Sequence, residues 1–339
     1  MRIIPKIVIA ALPLFAACAG TDETTEDRPE VVVTTSVLAT IVSELVGDAA
    51  VVTTIISDGV DPHDFAPSAK DVERMNNAAL VVANGLDLEE GLEDVLANLE
   101  ADRLFVAADH VTTRALKSKH SDEVTDEDHS DEHSENHSDE DHSDEHSENH
   151  SDEDHSDEHS ENHSDEDHAH DHGSDDPHLW LSPFTVSEFV PALATALGTT
   201  LGIELTTAAD DVVGALLELD ADFAAQIDGL ASCELITGHD ELGYFADRYG
   251  CEVIGTVIPS ATTTAEASAA QIAELENVVT EHNAKAIFVS LGTPTKIAEQ
   301  IARDTGVPTV ELNTHVVGDS ENYDQFMRSV TDTIVDALS

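Results

Sequence analysis

The 339-residue chain predicts an α/β protein of two parallel-sheet lobes joined by a long helix. Three observations carry this. Short apolar runs alternate with helical stretches in both halves of the chain, the grammar of parallel sheets covered on both faces. Between the halves, Val212, Leu216, Leu219, Phe223 and Ile227 recur at helical spacing. A tract dominated by His, Asp, Glu and Ser interrupts the first half and leaves the order of elements around it intact.

The first half reads as strands at 31–35, 51–56, 80–83 and 104–107, with helices at 38–46, 68–76 and 88–99 between them. Ser68 stands where a helix cap belongs. The loop 57–67 is rich in Gly, Pro and Asp. Helices at 183–197 and 207–230 follow. The second is long enough, at about 1.5 Å per residue, to bridge two lobes. The second half reads as strands at 234–237, 252–255, 286–289 and 309–312. Its helices are 241–249, 264–281, 294–303, with Pro294 in the first turn, and 322–338. The division is therefore 31–204 for the first lobe, with an insertion at 117–176, 205–230 for the linking helix and 231–339 for the second lobe. Cys233 and Cys251 each open a strand of the second lobe, which leaves either a disulfide or two buried thiols.

Charge narrows the function. The chain carries 14 Lys and Arg against 71 Asp and Glu, a formal net charge of -57. Nucleic acid needs positive partners and is excluded as a ligand. Attraction of cations fits. Residues 121–176 hold 26 of the acidic residues and no Lys or Arg, and the rest is acidic too, which suits a surface bathed in high salt. The N-terminus carries Arg2 and Lys6, an apolar run at 7–17, then Ala16, Ala17 and Cys18. This resembles a bacterial lipoprotein signal at 1–17, with Cys18 lipidated and 18–30 an acidic tether. The expected location is the outer face of the cytoplasmic membrane.

Histidines point to a metal. Thirteen of the 19 lie between His120 and His172, in a 13-residue unit that begins at His129, repeats at His142 and His155, and is truncated from His168. Clustered imidazoles alternating with carboxylates suit Zn, Cu or Ni, and the lack of apolar residues predicts many weak, exchangeable sites. Three of the remaining six have similar surroundings. His63 lies in GVDPHDFAPS, His178 in DDPHLWLSP and His239 in GHDELGYFADRYG. Loops after parallel strands are the usual ligand sites, and three imidazoles plus one further donor make a zinc site.

These motifs and the place of the insertion resemble the metal-binding protein of bacterial ABC-type zinc or manganese importers, the cluster A-I family, over residues 30–339. The resemblance implies two Rossmann-like lobes joined by a rigid helix, a metal cleft between them, and His63, His178 and His239 as ligands. It implies a monomer, a permease as partner, zinc as transported cargo and no catalysis. The His-rich insertion is typical of zinc members. Two positions depart from the family pattern. Ser290, in IFVSLGTP, and Asn313, in ELNTH, stand where an acidic ligand is expected. His315, two residues after Asn313, is the replacement proposed for the fourth ligand, on the ground that residues two apart in extended backbone face alike. Loss of both acidic positions favours zinc over manganese. Trp180 and Phe65 are expected to pack around the ligands, Tyr244 and Phe245 to support the lobe core, and Asp61 and Asp240 to orient ligand rings or cap turns. Manganese import is the alternative within this class. A zinc store centred on the repeats is the alternative outside it. A zinc enzyme is disfavoured because no HExxH motif is present, and no residue identifies an adhesin's partner.

Overall fold

The computed structural model describes residues 28–116 and 175–339. The signal at 1–17, Cys18, most of the tether and nearly all of the insertion lie outside the described residues.

The first sheet has four parallel strands in the order β2-β1-β3-β4. These are β1 (Glu30–Thr35), β2 (Val51–Ile56), β3 (Leu80–Ala83) and β4 (Leu104–Val106). The central strand β1 buries Val31, Val32 and Val33 completely, as a strand covered on both faces must. Helix α1 (Ser36–Val46) connects β1 to β2. Helix α2 (Ala69–Asn77) starts at a capping box in which Ser68 and Asp71 satisfy each other's backbone N–H groups. The helix predicted over 88–99 is much shorter. Gly85, Leu86 and Asp87 all have positive φ. The buried Glu89 carboxylate accepts hydrogen bonds from the backbone N–H groups of Asn84 and Gly85 and from the Thr34 hydroxyl. That knot holds the chain in a loop, so only a 3-10 turn at Glu90–Leu92 and α3 (Glu93–Ala97) follow.

Two long helices come next, α4 (Pro183–Leu201) and α5 (Thr206–Asp228), packed along each other. Among the described residues α4 alone is long and apolar enough to cross a membrane. Here its Phe189, Val190, Leu193 and Leu197 are wholly buried in protein. Helix α5 has 23 residues, about 35 Å of rise. It touches α1, α9 (Tyr323–Leu338) and α6 (Gly243–Tyr249).

The second half pairs β5 (Glu234–Thr237) with β6 (Glu252–Thr256), and β7 (Ile287–Val289) with β8 (Thr309–Glu311), all parallel. Strand β5 also lies beside β7. Helix α7 (Ala269–Glu281) begins five residues later than predicted because Ser268 and Gln271 form its capping box. Helix α8 (Thr295–Thr305) has Pro294 as its cap and not in its first turn. The largest hydrophobic cluster runs from Val31 on β1 through α4 and α5 to Leu338 on α9, so both sets of strands belong to one compact unit. A disulfide joins Cys233 to Cys251, ahead of the adjacent strands β5 and β6.

The two cysteines are 18 positions apart. Removing the bridge with the double substitution Cys233→Ala and Cys251→Ala is expected to lower stability by about 3 kcal/mol through the freedom regained by the unfolded chain. Thermal melts of the oxidised protein and the variant check this. Superimposable melts would contradict it.

Candidate metal centre

Four loops converge on one point. The first follows β2 and carries His63 in a 3-10 turn, Pro62–Asp64. The second is the segment ahead of α4, where His178 precedes the 3-10 turn Leu179–Leu181. The third follows β5 and carries His239. The fourth follows β8 and carries His315. The side-chain nitrogens of these four residues all lie within 4.8 Å of one another. His178 and His239 are fully buried, and His63 and His315 are nearly so. Among the described residues this is the one grouping of its kind.

The first two histidines share a local device. In each, an Asp-Pro-His tripeptide forms an Asx-type turn in which the Asp side chain accepts the backbone N–H of the His two residues on. The distances are 3.0 Å for Asp61 to His63 and 3.0 Å for Asp176 to His178. The Asp176 Oδ1 atom also lies 2.8 Å from His178 Nδ1. A neutral His178 donates its Nδ1–H there, which leaves the Nε2 lone pair pointing into the cluster. That Nε2 stands 3.3 Å from His63 Nε2 and 3.1 Å from His239 Nε2. Both neighbours compete for that one lone pair. His315 Nε2 is buried with no hydrogen-bond partner. The donor set fits a cation.

Burial also keeps three of the rings neutral. It lowers the pKa of His63 to about 3, with the neighbouring His178 ring adding to the effect. It holds His239 and His315 well below the usual histidine range for the same reasons. Neutral imidazole is the form that binds metal. Trp180 closes the floor. Its ring lies 5.3 Å from His178 and 5.2 Å from His315, and its indole N–H donates to the Thr314 carbonyl at 2.8 Å. The cavity beside the cluster, between the Thr35–Val37 turn, the Ser57–Pro62 loop and His315, measures about 10 Å³. That space is far below the several hundred Å³ of an organic ligand pocket.

Several sequence expectations change. Asn313 is exposed and stands outside the cluster, while His315 is buried within it. The two do not face alike, because β8 ends at Glu311 and the chain turns, with the Thr314 N–H bonded to the Leu312 carbonyl at 3.0 Å. Phe65 packs against a hydrophobic cluster that includes Val32, Ile55, Ile56 and Met75. Asp61 does not orient the His63 ring. It caps the turn, and its other oxygen accepts the Thr263 hydroxyl at 2.6 Å. Tyr244 and Phe245 do lie in the core. The carboxylates behind the rings are Asp176 and Glu241, neither of which was singled out from sequence. The Asp-Pro-His repeat was a legible signal for the first. Glu241 is fully buried, its oxygens accept the hydroxyls of Ser290 and Thr314 at 2.5 Å each, and burial raises its pKa to about 7. Ser290, at one of the two positions where an acidic residue was expected, thus holds one instead. Gly238, just before His239, has no substitute. A Cβ there would stand 1.9 Å from Thr293 Oγ1.

The profile of zinc-uptake complex component A, periplasmic (ZnuA), matches residues 31–337. The chain belongs to the ZnuA family. It is a solute-binding protein of metal uptake that acts outside the cytoplasm, and not an enzyme. The zinc-binding protein TroA of Treponema pallidum is 26% identical over 306 residues, covering 89% of this chain and 81% of TroA. The TroA crystal structure superposes with a TM-score of 0.69 at 24% identity, over 92% of this chain and 99% of that one, which shows the shared fold. The zinc-binding protein AdcA of Streptococcus pyogenes is 26% identical over 79% of this chain, which spans 47% of its length. The manganese-binding lipoprotein MntA of Halalkalibacterium halodurans is 24% identical over 98% of both chains. These names span two metals, so membership leaves the choice between zinc and manganese to the chemistry of the site.

The buried histidines set a pH dependence. Between pH 6.5 and about 3 the unfolded chain protonates its histidines while folded His63 resists, so the unfolded state binds more protons and stability falls with pH. Glu241 acts the other way. Folded, it keeps its proton to about pH 7, and unfolded it releases it near 4.5, so its contribution falls as pH rises through that window. Three histidines outweigh one carboxylate. Metal-free protein is expected to lose about 1.4 kcal/mol per pH unit for each such histidine below about pH 6. The substitution His315→Gln should flatten the slope. Melts in chelator across this range test it, and identical slopes in both proteins would refute it.

Proposed function

We propose that this protein captures zinc outside the cytoplasm at His63, His178, His239 and His315 and delivers it to the membrane permease of an ABC-type importer. The observation that carries the reading is the all-nitrogen donor set, whose Nε2 atoms already stand 3.1 and 3.3 Å apart. Four nitrogens at tetrahedral positions 2.0–2.1 Å from a zinc ion lie about 3.3 Å from one another. Two of the six nitrogen pairs already stand near that spacing, and all four donor atoms lie within 4.8 Å of one another. Manganese prefers oxygen ligands, and no carboxylate belongs to the four-residue group.

The remaining parts of the reading follow. The division at 31–204, 205–230 and 231–339 makes α5 a stiff strut on which two lobes hold two ligands each. His63 and His178 come from the first lobe, and His239 and His315 from the second, so the ion bridges them. Lipidation of Cys18 keeps the protein beside its permease, and the His-rich tract gathers zinc locally at weak, exchangeable sites. The uptake step is passive for this chain. The ion sheds water, bridges the lobes and leaves when the permease separates them.

Calorimetry with zinc and with manganese, on the mature chain and on a form lacking residues 120–172, tests this. One tight zinc ion that survives the deletion is expected, with manganese much weaker. The substitution His239→Ala should weaken zinc by more than the roughly 10–100-fold typical of losing an outer-shell partner. Fluorescence of Trp180, the single tryptophan, should report the same event. Tight manganese binding would make the cargo manganese. Loss of all tight zinc binding on deletion would make the protein a zinc store.

A further inference from the structure

Glu241 lies below the cluster and belongs to none of the four ligand positions. Its Oε1 is 3.7 Å from His239 Nδ1, and its Oε2 is 3.6 Å from His315 Nδ1. These are the ring nitrogens turned away from the cluster's centre. Ser290 holds the first oxygen and Thr314 the second. One carboxylate thus stands between two rings and ties together the loops after β5, β7 and β8. His239 Nδ1 is buried and has no hydrogen-bond partner. Its distance to Glu241 exceeds a hydrogen bond by under an ångström.

Charge makes the second argument. A divalent cation held by four neutral imidazoles keeps its full charge in a place closed to water, which is costly unless counter-charge is near. Asp176 stands behind His178, but its other oxygen is 3.1 Å from the Arg114 guanidinium, so that charge is already shared. Glu241 accepts from two neutral hydroxyls, and its charge is turned toward the cluster.

We propose that Glu241 is a positioning and metal-selecting residue. Its carboxylate takes the Nδ1–H of His239 directly and that of His315 through the Thr314 hydroxyl, which lies 3.0 Å from His315 Nδ1, when the ion enters, aims their Nε2 atoms at it and supplies counter-charge that the ligands lack. This role rests on the four-histidine capture site proposed above. A carboxylate behind a ligand ring raises the basicity of the imidazole. The gain is largest for a metal that favours nitrogen, so Glu241 biases the site toward zinc.

The test uses the full chain. Zinc affinity is read by competition against a chelator strong enough to strip weak sites, and the visible spectrum of the cobalt(II)-loaded protein reports ligand geometry and basicity. The substitution Glu241→Gln keeps the size and removes the charge. It is expected to weaken zinc about 10–100-fold, narrow the zinc-over-manganese ratio and shift the cobalt bands, without lowering the melting temperature of metal-free protein. Glu241→Asp retains the charge and should restore part of the affinity. Zinc affinity within twofold of wild type and an unchanged cobalt spectrum in Glu241→Gln would overturn the proposal. Should that variant not fold, Thr314→Val removes one anchor of the carboxylate and carries the same two readouts. An unchanged affinity and spectrum there would overturn it equally. His239→Ala separates the two readings. If wild type binds zinc tightly and His239→Ala does not, the capture site stands whatever Glu241 does. If His239→Ala binds as wild type does, the capture site itself fails, and this role with it.

Discussion

Four imidazoles pressed together in a closed space are the constraint around which the rest of this structure is arranged. Nitrogen lone pairs 3.1–3.3 Å apart repel unless a proton or cation lies between them. Burial removes the protons, since it holds His63, His239 and His315 below their usual pKa. What remains is a site built to be completed by an ion. Keeping it assembled without one requires stiff support, and the support is visible at each ligand. The Asp-Pro-His turns fix two backbones, Asp176 fixes the His178 ring, and the Glu241 carboxylate underlies the other two rings.

The same need explains the contacts that cross between the first sheet's loops and the second's. Asp58 accepts the Val317 and Gly318 N–H groups at 2.7 and 2.9 Å, and Asp61 accepts the Thr263 hydroxyl. Trp180 donates to the Thr314 carbonyl, and the Tyr323 hydroxyl donates to the Trp180 carbonyl at 2.6 Å. These bonds bring the His63 and His315 loops together over the cluster. They are few and lie at loops, whereas the packing beneath, along α1, α4, α5 and α9, is continuous hydrophobic core. Movement that opens the site is therefore concentrated in the loops or in a small rotation about α5, because the core resists deformation.

Much of this was legible in the chain. The strand and helix order followed from apolar periodicity, and the start of α2 from Ser68 as its cap. The three histidines in matching motifs were legible because each sits just beyond a strand or a proline turn. Where local reading failed, a tertiary contact had overridden propensity. The 88–99 stretch has helical composition, but the buried Glu89 draws its first turn into a loop. The argument for His315 from extended-strand alternation failed, since Asn313 is exposed and a turn delivers His315 to the cluster.

What the sequence by itself determined is the α/β class, the acidic, cation-attracting character and the three matching histidine motifs, because these depend on periodicity, composition and short motifs. Only the tertiary structure decided that the four histidines meet, that Asn313 is left outside, and that Asp176 and Glu241 stand behind the rings. Those facts depend on distances between loops up to about 250 residues apart along the chain, such as those of His63 and His315. Such distances are set by how two sheets pack across shared helices. No local pattern encodes that spacing, and a glutamate two positions from a ligand reads the same whether it faces solvent or the underside of a metal site.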